Sequence, residues 1–201
     1  MKRTLIAVLP CALWLSACTP ATTDDVVGSD SGGSGAQSSS QATTDASKTQ
    51  IAAEDMQFMK DAAQSGMAEV KMGELASSNG ESQPVKDLAQ KLVTDHGKAN
   101  AELKQLATKK SVMLPDAVSE EQKKMLEHLT SLKGREFDTA FKQHAVENHQ
   151  KSVDKFKTAA EKAKDADLKA FAAKTLPTLQ QHLALAKQLN TAPTATQPPP
   201  Q

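Results

Sequence analysis

Three histidines stand where aliphatic residues belong. His96, His149 and His182 each fall on the apolar stripe of a predicted helix, and Glu69 borders the stripe of another. Three neutral imidazoles and a carboxylate form a ligand set that suits a single transition-metal ion or zinc. Without an ion the same side chains make a polar core layer, satisfied by hydrogen bonds to Asp95, Asn148, backbone or buried water. The residues leave both readings open, and no motif demands a cofactor. Two of the histidines lie in a repeated pattern: V-T-D-H-G-K-A-N-A-E-L from Val93 to Leu103 and V-E-N-H-Q-K-S-V-D-K-F from Val146 to Phe156. The repeat suggests two copies of one helical unit, and a duplicated helix-loop-helix is one way to build a four-helix bundle.

Helical periodicity supplies the elements that must carry these residues. A first helix runs from near Ala52 to Ser77 with Met56, Met59, Ala63, Gly66, Val70 and Gly73 at helical spacing, and Asn79-Gly80 stops it. A second opens at Ser82-x-Pro84 and carries Val85, Leu88, Leu92, His96, Ala99, Leu103 and Leu106, ending before Leu114-Pro115. Ser119-Glu-Glu-Gln is a capping-box pattern for a short crossover helix that closes before Gly134. Two further helices, from about Glu136 to Ala163 and from about Ala166 to Leu189, complete an all-α, antiparallel four-helix bundle, with a kink expected at Pro177. If the last two helices turn near Asp165, His149 precedes the turn by about 16 residues and His182 follows it by about 17, which puts them nearly level. For Glu69 and His96 about a turn near Gly80 the mismatch is about 7 Å, little over one helical turn.

The ends of the chain are of a different kind. Lys2 and Arg3, an apolar run from Leu5 to Leu15 and the small residues after it follow signal-peptide order, so the chain is expected to be exported. Leu15-Ser16-Ala17-Cys18 resembles a bacterial lipobox, which implies cleavage after residue 17 and acylation of Cys18. Thr19 after that cysteine resembles lipoproteins sent to the outer membrane, so the expected place is lipid-anchored there, facing the periplasm. Residues 18–50 are Ser, Thr, Gly and Ala-rich and read as a disordered tether of roughly 30 Å end to end. Residues 51–190 are the bundle, and residues 191–201 a disordered Pro-rich tail.

Lys+Arg 24 against Asp+Glu 24 leaves no net charge, so nucleic acid is not an expected partner. No phosphate loop, nucleophile motif or paired-carboxylate pattern appears, and the reading leans against an enzyme. Di-iron bundles place a glutamate three residues before each ligating histidine; here those positions are Val93, Val146 and Leu179. His128 and His144 lie off the layer and are not site residues. Met56, Met59, Met67 and Met72 read mainly as core filling, with one or two exposed.

F-M-K-D-A-A-x-S-G-M-A-E-V from Phe58, the two histidine motifs, Leu114-Pro115, Phe137-Asp138 and T-L-P-x-L-x-x-H-L from Thr175 together resemble the bacterial domain-of-unknown-function 4142 family over roughly residues 51 to 189. The resemblance implies an exported or lipid-anchored protein with a ferritin-like four-helix fold and no established biochemical function. It also implies Asp before the second motif histidine, where this chain has Asn148. The sequence therefore reads first as a membrane-anchored, non-enzymatic interaction or stress-related module with an envelope protein as partner. The alternative is a metal-binding or redox protein that uses Glu69, His96, His149 and His182, with Asp95 and Asn148 behind them.

Overall fold

The computed structural model describes residues 51–191, and these form five helices: α1 (Ala53–Asn79), α2 (Gln83–Lys109), α3 (Glu120–Ser131), α4 (Gly134–Lys162) and α5 (Ala166–Thr191). The sequence-based ends differ from these by a few residues at most, as fraying and capping allow. α1 pairs with α2 and α4 with α5 as hairpins, and the two hairpins meet along α1/α4 and α2/α5. The signal segment, Cys18, the tether and the Pro-rich tail lie outside the described residues.

Buried aspartates fix how the hairpins lie against each other. Asp55, in the first turn of α1, accepts the backbone N–H groups of Lys164 and Asp165 in the α4–α5 turn, at 2.9 and 2.7 Å. Asp138, at the start of the second turn of α4, does the same for Glu81 and Ser82 in the α1–α2 turn, at 3.0 and 2.8 Å. Each turn needs acceptors for its free N–H groups, and the opposite hairpin supplies them. The start of α1 therefore meets the end of α4, so neighbouring helices are antiparallel and the diagonal pair α2 and α4 run parallel. The segment from α2 to α4, including α3, runs back along the bundle and packs on α1, giving the topology with one long crossover.

α3 begins as expected: Ser119 Oγ accepts from Gln122 N, and Gln122 Oε1 accepts from Ser119 N. Its far end is held by Asn79, whose Nδ2 donates to the Leu132 carbonyl at 3.0 Å. Gly80 ends α1 for a reason other than left-handed backbone, since its φ is −71°. Contact is the reason: a β-carbon there would stand 2.7 Å from the Ala76 carbonyl oxygen and 3.3 Å from Asp138 Oδ1. α2 closes in a Schellman turn, with Ser111 at φ 57°, Ser111 N donating to Thr108 O and Val112 N to Ala107 O. α5 continues through Pro177 without a break.

The repeated motif also finds its place. His96 is on the second helix of the first hairpin and His149 on the first helix of the second, so the copies are not equivalent positions of a duplicated helix-loop-helix. They occupy the parallel diagonal helices, each with its histidine directed to the bundle centre.

Candidate metal centre

The core is two apolar clusters with the histidines between them. One contains Met59, Leu103, Phe156, Leu168 and Phe171; the other contains Met72, Leu88, Leu92, Phe137 and Phe141. Met59, on the predicted stripe, and Met72, beside it, are therefore core filling. α2 brings in His96, α4 His149 and α5 His182, which are 7%, 1% and 1% exposed. Their ring centres lie 5.4, 5.4 and 5.3 Å apart, nearly an equilateral triangle. One ring nitrogen of each lies within 4.8 Å of the others.

Hydrogen bonds assign the protons. His149 Nδ1 lies 2.8 Å from the carbonyl oxygen of Ala145, which can only accept, so Nδ1 carries the hydrogen and Nε2 the lone pair. His182 Nε2 donates to Asp95 Oδ2 at 3.0 Å, leaving Nδ1 as the lone-pair nitrogen; that atom is buried and has no partner. His96 Nε2 faces His149 Nε2 at 3.3 Å and donates to it.

Burial disfavours the charged imidazolium here. It drives the pKa of His96 down to about 3, with the other two histidines adding repulsion and Asp95 opposing. His182 is also lowered by burial, which outweighs the favourable bond to Asp95. Burial works against the Asp95 carboxylate too, yet the bonds from His182 and Lys91 outweigh it and hold its pKa below the usual carboxylate value. Neutral rings with free lone pairs are the state in which histidine ligates metal.

Glu69 does not join the triangle. It is 3% exposed and approaches the outer edge of His149, with Oε2 4.0 Å from Nδ1. Burial raises its pKa; His149 and the neighbouring Asn148 amide pull the other way. Oε2 nevertheless has no hydrogen-bond partner, so Asn148 acts as a neighbour and not as a clamp on that oxygen. Glu69 and Asn148 both face a cavity of about 50 Å³ between α1 and α4. Asp95 and Asn148, each preceding a motif histidine, reach sideways to the adjacent helix: Asp95 to His182, Asn148 to Glu69. Val93, Val146 and Leu179 leave the positions of the di-iron carboxylates apolar.

Outside the layer, the rings of His128 on α3 and His144 on α4 meet at 6.5 Å between centres, a pairing that helical spacing alone does not reveal. Sequence reasoning also passed over Asn100, which packs against Gly66 beside His96. The available signal was its position one turn after His96 on the same helix face.

Comparison with known proteins agrees with this architecture. A family model described as "Domain of unknown function (DUF4142)" matches residues 40–189, and no curated protein matches the chain. Among solved structures, a DUF305 fragment from Deinococcus radiodurans is similar with a TM-score of 0.62 at 12% identity, covering 70% of this chain and 97% of its own. CopM in its Cu(II)-bound form has a TM-score of 0.58 at 17% identity over 68% of this chain and 95% of its own. The Cu(I)-bound form of CopM has a TM-score of 0.57 at 17% identity over 67% and 93%. At these identities the likeness is one of fold.

Proposed function

The chain belongs to the DUF4142 family, a domain of unknown function, and from that premise we propose that it is a cell-envelope protein binding one transition-metal ion through His96, His149 and His182. The observation that carries this reading is the convergence of three buried imidazoles, with the Nδ1 lone pair of His182 buried among them and unpartnered. A purely structural layer accounts for the bonds to Ala145 and Asp95 but leaves that nitrogen idle. Unpartnered buried acceptors are uncommon and call for a reason.

The dimensions fit an ion. Three imidazoles bound at about 2.0–2.1 Å hold their ring centres roughly 5–5.5 Å apart and their nitrogens roughly 3.3–3.5 Å apart. The ring centres here are 5.3–5.4 Å apart, the His96–His149 nitrogen pair is 3.3 Å apart, and a His182 nitrogen completes the set within 4.8 Å, so the third ring closes in by a small shift on loading. Imidazole suits zinc and copper, and the copper-bound CopM structures share this fold, so copper is the first ion to try. Asp95 behind His182 and Glu69 beside His149 place carboxyl groups at the outer edges of two rings, where they offset the charge of a bound cation. The ion would supply a Lewis-acid or electron-transfer centre; the chain supplies three ring nitrogens in a buried layer between two apolar clusters.

The test is metal content by mass spectrometry on the wild type and on the triple His96, His149, His182→Ala variant, after exposure to copper, zinc and iron and removal of loose ions. One ion per chain is expected in the wild type and none in the variant. Metal in neither protein overturns the reading and returns the layer to a structural role.

The envelope location is part of the same proposal and rests on residues 1–18. No helix among the described residues is long and apolar enough to cross a membrane, so attachment falls to the acyl chains of Cys18, at about 0.8 kcal/mol per buried methylene. Cys18→Ser is expected to move the protein from the membrane pellet to the soluble envelope fraction, and equal pelleting of both forms would remove the anchor.

A further inference from the structure

Two of the three imidazoles already have the outer partner that a ligating histidine needs. A ring nitrogen that gives its lone pair to an ion leaves the proton on the other nitrogen, and that N–H must be received by a carboxylate, a carbonyl or a water. His182 uses the Asp95 carboxylate and His149 the Ala145 carbonyl. Of the two His96 nitrogens, only Nε2 meets a protein partner among the described residues, and it points inward to His149.

Beside His96 lies a cavity of about 20 Å³ whose polar lining comes from Ser65, Asn100, Ser152 and Thr175. A cavity above about 10–15 Å³ in this measure holds one water when two to four polar groups line it. Asn100 follows His96 by one turn of α2 and therefore shares its face. Its amide is seated on Gly66 of α1: a β-carbon at that glycine would stand 1.9 Å from Asn100 Oδ1 and 2.9 Å from its Cγ. Glycine inside a helix costs about 1 kcal/mol relative to alanine. At position 66 that cost makes room for an amide next to the histidine layer.

We propose that Asn100, together with one water in this cavity, receives the Nδ1–H of His96 and so presents His96 Nε2 to the metal. Asn100 is then a positioning residue, and its role rests on the metal reading above. Without metal, His96 carries its proton on Nε2 and donates to His149. Loading frees Nε2 as solvent exchanges the proton to Nδ1, so the imidazole remains neutral and the proton count is unchanged. The three rings then present the three outer partners: a carboxylate, a carbonyl, and a water held by an amide.

The experiment titrates Cu(I) and Zn(II) separately into the full-length chain as wild type, Asn100→Leu and Asn100→Asp, and reads affinity, ¹⁵N imidazole shifts and metal-free unfolding. Leucine matches the size of asparagine without an acceptor, and aspartate retains the acceptor. The expected result is a move of the His96 proton from Nε2 to Nδ1 on loading, affinity weakened roughly 10–100-fold in Asn100→Leu, and recovery in Asn100→Asp. Affinity in Asn100→Leu within about twofold of wild type overturns the proposal. So does an unchanged His96 tautomer in the loaded wild type, or an aspartate variant no better than leucine, which would mean that Asn100 only fills space. Absence of binding by the wild type removes the metal reading itself, and that arm separates the two failures.

Discussion

His96 links burial to pH. Its pKa falls from 6.5 to about 3 on folding, so between those values the unfolded chain binds a proton that the folded chain does not. Stability from this group is complete above 6.5 and declines as pH falls toward 3, by up to about 1.4 kcal/mol per pH unit. His182, also lowered, acts in the same direction. Glu69 has the opposite sign: its raised pKa favours the folded state below 4.5, and the advantage is lost as pH rises through its folded value. Denaturant unfolding of the metal-free protein from pH 4 to 8 should therefore show an acid limb that His96→Leu flattens. Glu69→Gln should raise stability at pH 7 to 8 by removing the buried acid, while weakening metal binding by removing a compensating carboxylate. A Glu69→Gln protein less stable than wild type at pH 8 would contradict this account. Aspartate and asparagine before the two motif histidines are plain in the sequence, but which neighbour each serves depends on the rotation of its helix.

At the scale of the helices, the hydrophobic repeat predicted each element, and the capping box at Ser119 predicted the start of α3. Asp55 and Asp138 were not legible as clamps. Asp55, in a first helical turn, is ordinarily explained by the helix dipole, Asp138 one turn into α4 carries no signal of its own, and the burial of each comes from the turn of the other hairpin. Asp55→Ala or Asp138→Ala strands two backbone N–H groups, and each is expected to cost about 1–3 kcal/mol in urea unfolding. A cost like that of an exposed aspartate would deny the clamp. The end of α2 was hidden because the left-handed position holds serine instead of glycine. Ser111→Gly is expected to add about 1 kcal/mol by relieving that φ of 57°, measurable as a higher melting temperature.

Across the whole molecule, the candidate ligands come from both hairpins: His96 from α2, His149 and His182 from α4 and α5. A metal there ties the hairpins together and binds only the folded chain. At a free concentration of about 100 times the Kd it should contribute about 2.7 kcal/mol. A chelator should therefore lower the melting temperature of the loaded wild type and leave the triple His→Ala variant unchanged. An identical response in both would place any metal elsewhere. The paired histidine motif had suggested a repeated hairpin, whereas the bundle uses it on two parallel diagonal helices. Spacing within a motif reports the local helix and says nothing of which neighbour that helix receives.

By itself the sequence determined the all-α class, the four long helices and crossover, the presence of His96, His149 and His182 on inward stripes, and the nearly equal heights of His149 and His182. Those features are local: the period of 3.6 residues selects a face, and a rise of about 1.5 Å per residue from a turn sets a level. Only the tertiary structure decided that the rings form a triangle, that Glu69 stands behind His149 instead of beside the lone pairs, and that Asn100 lies in the hollow of Gly66. These depend on helix rotation and approach, which side chains from four different helices settle jointly through close packing.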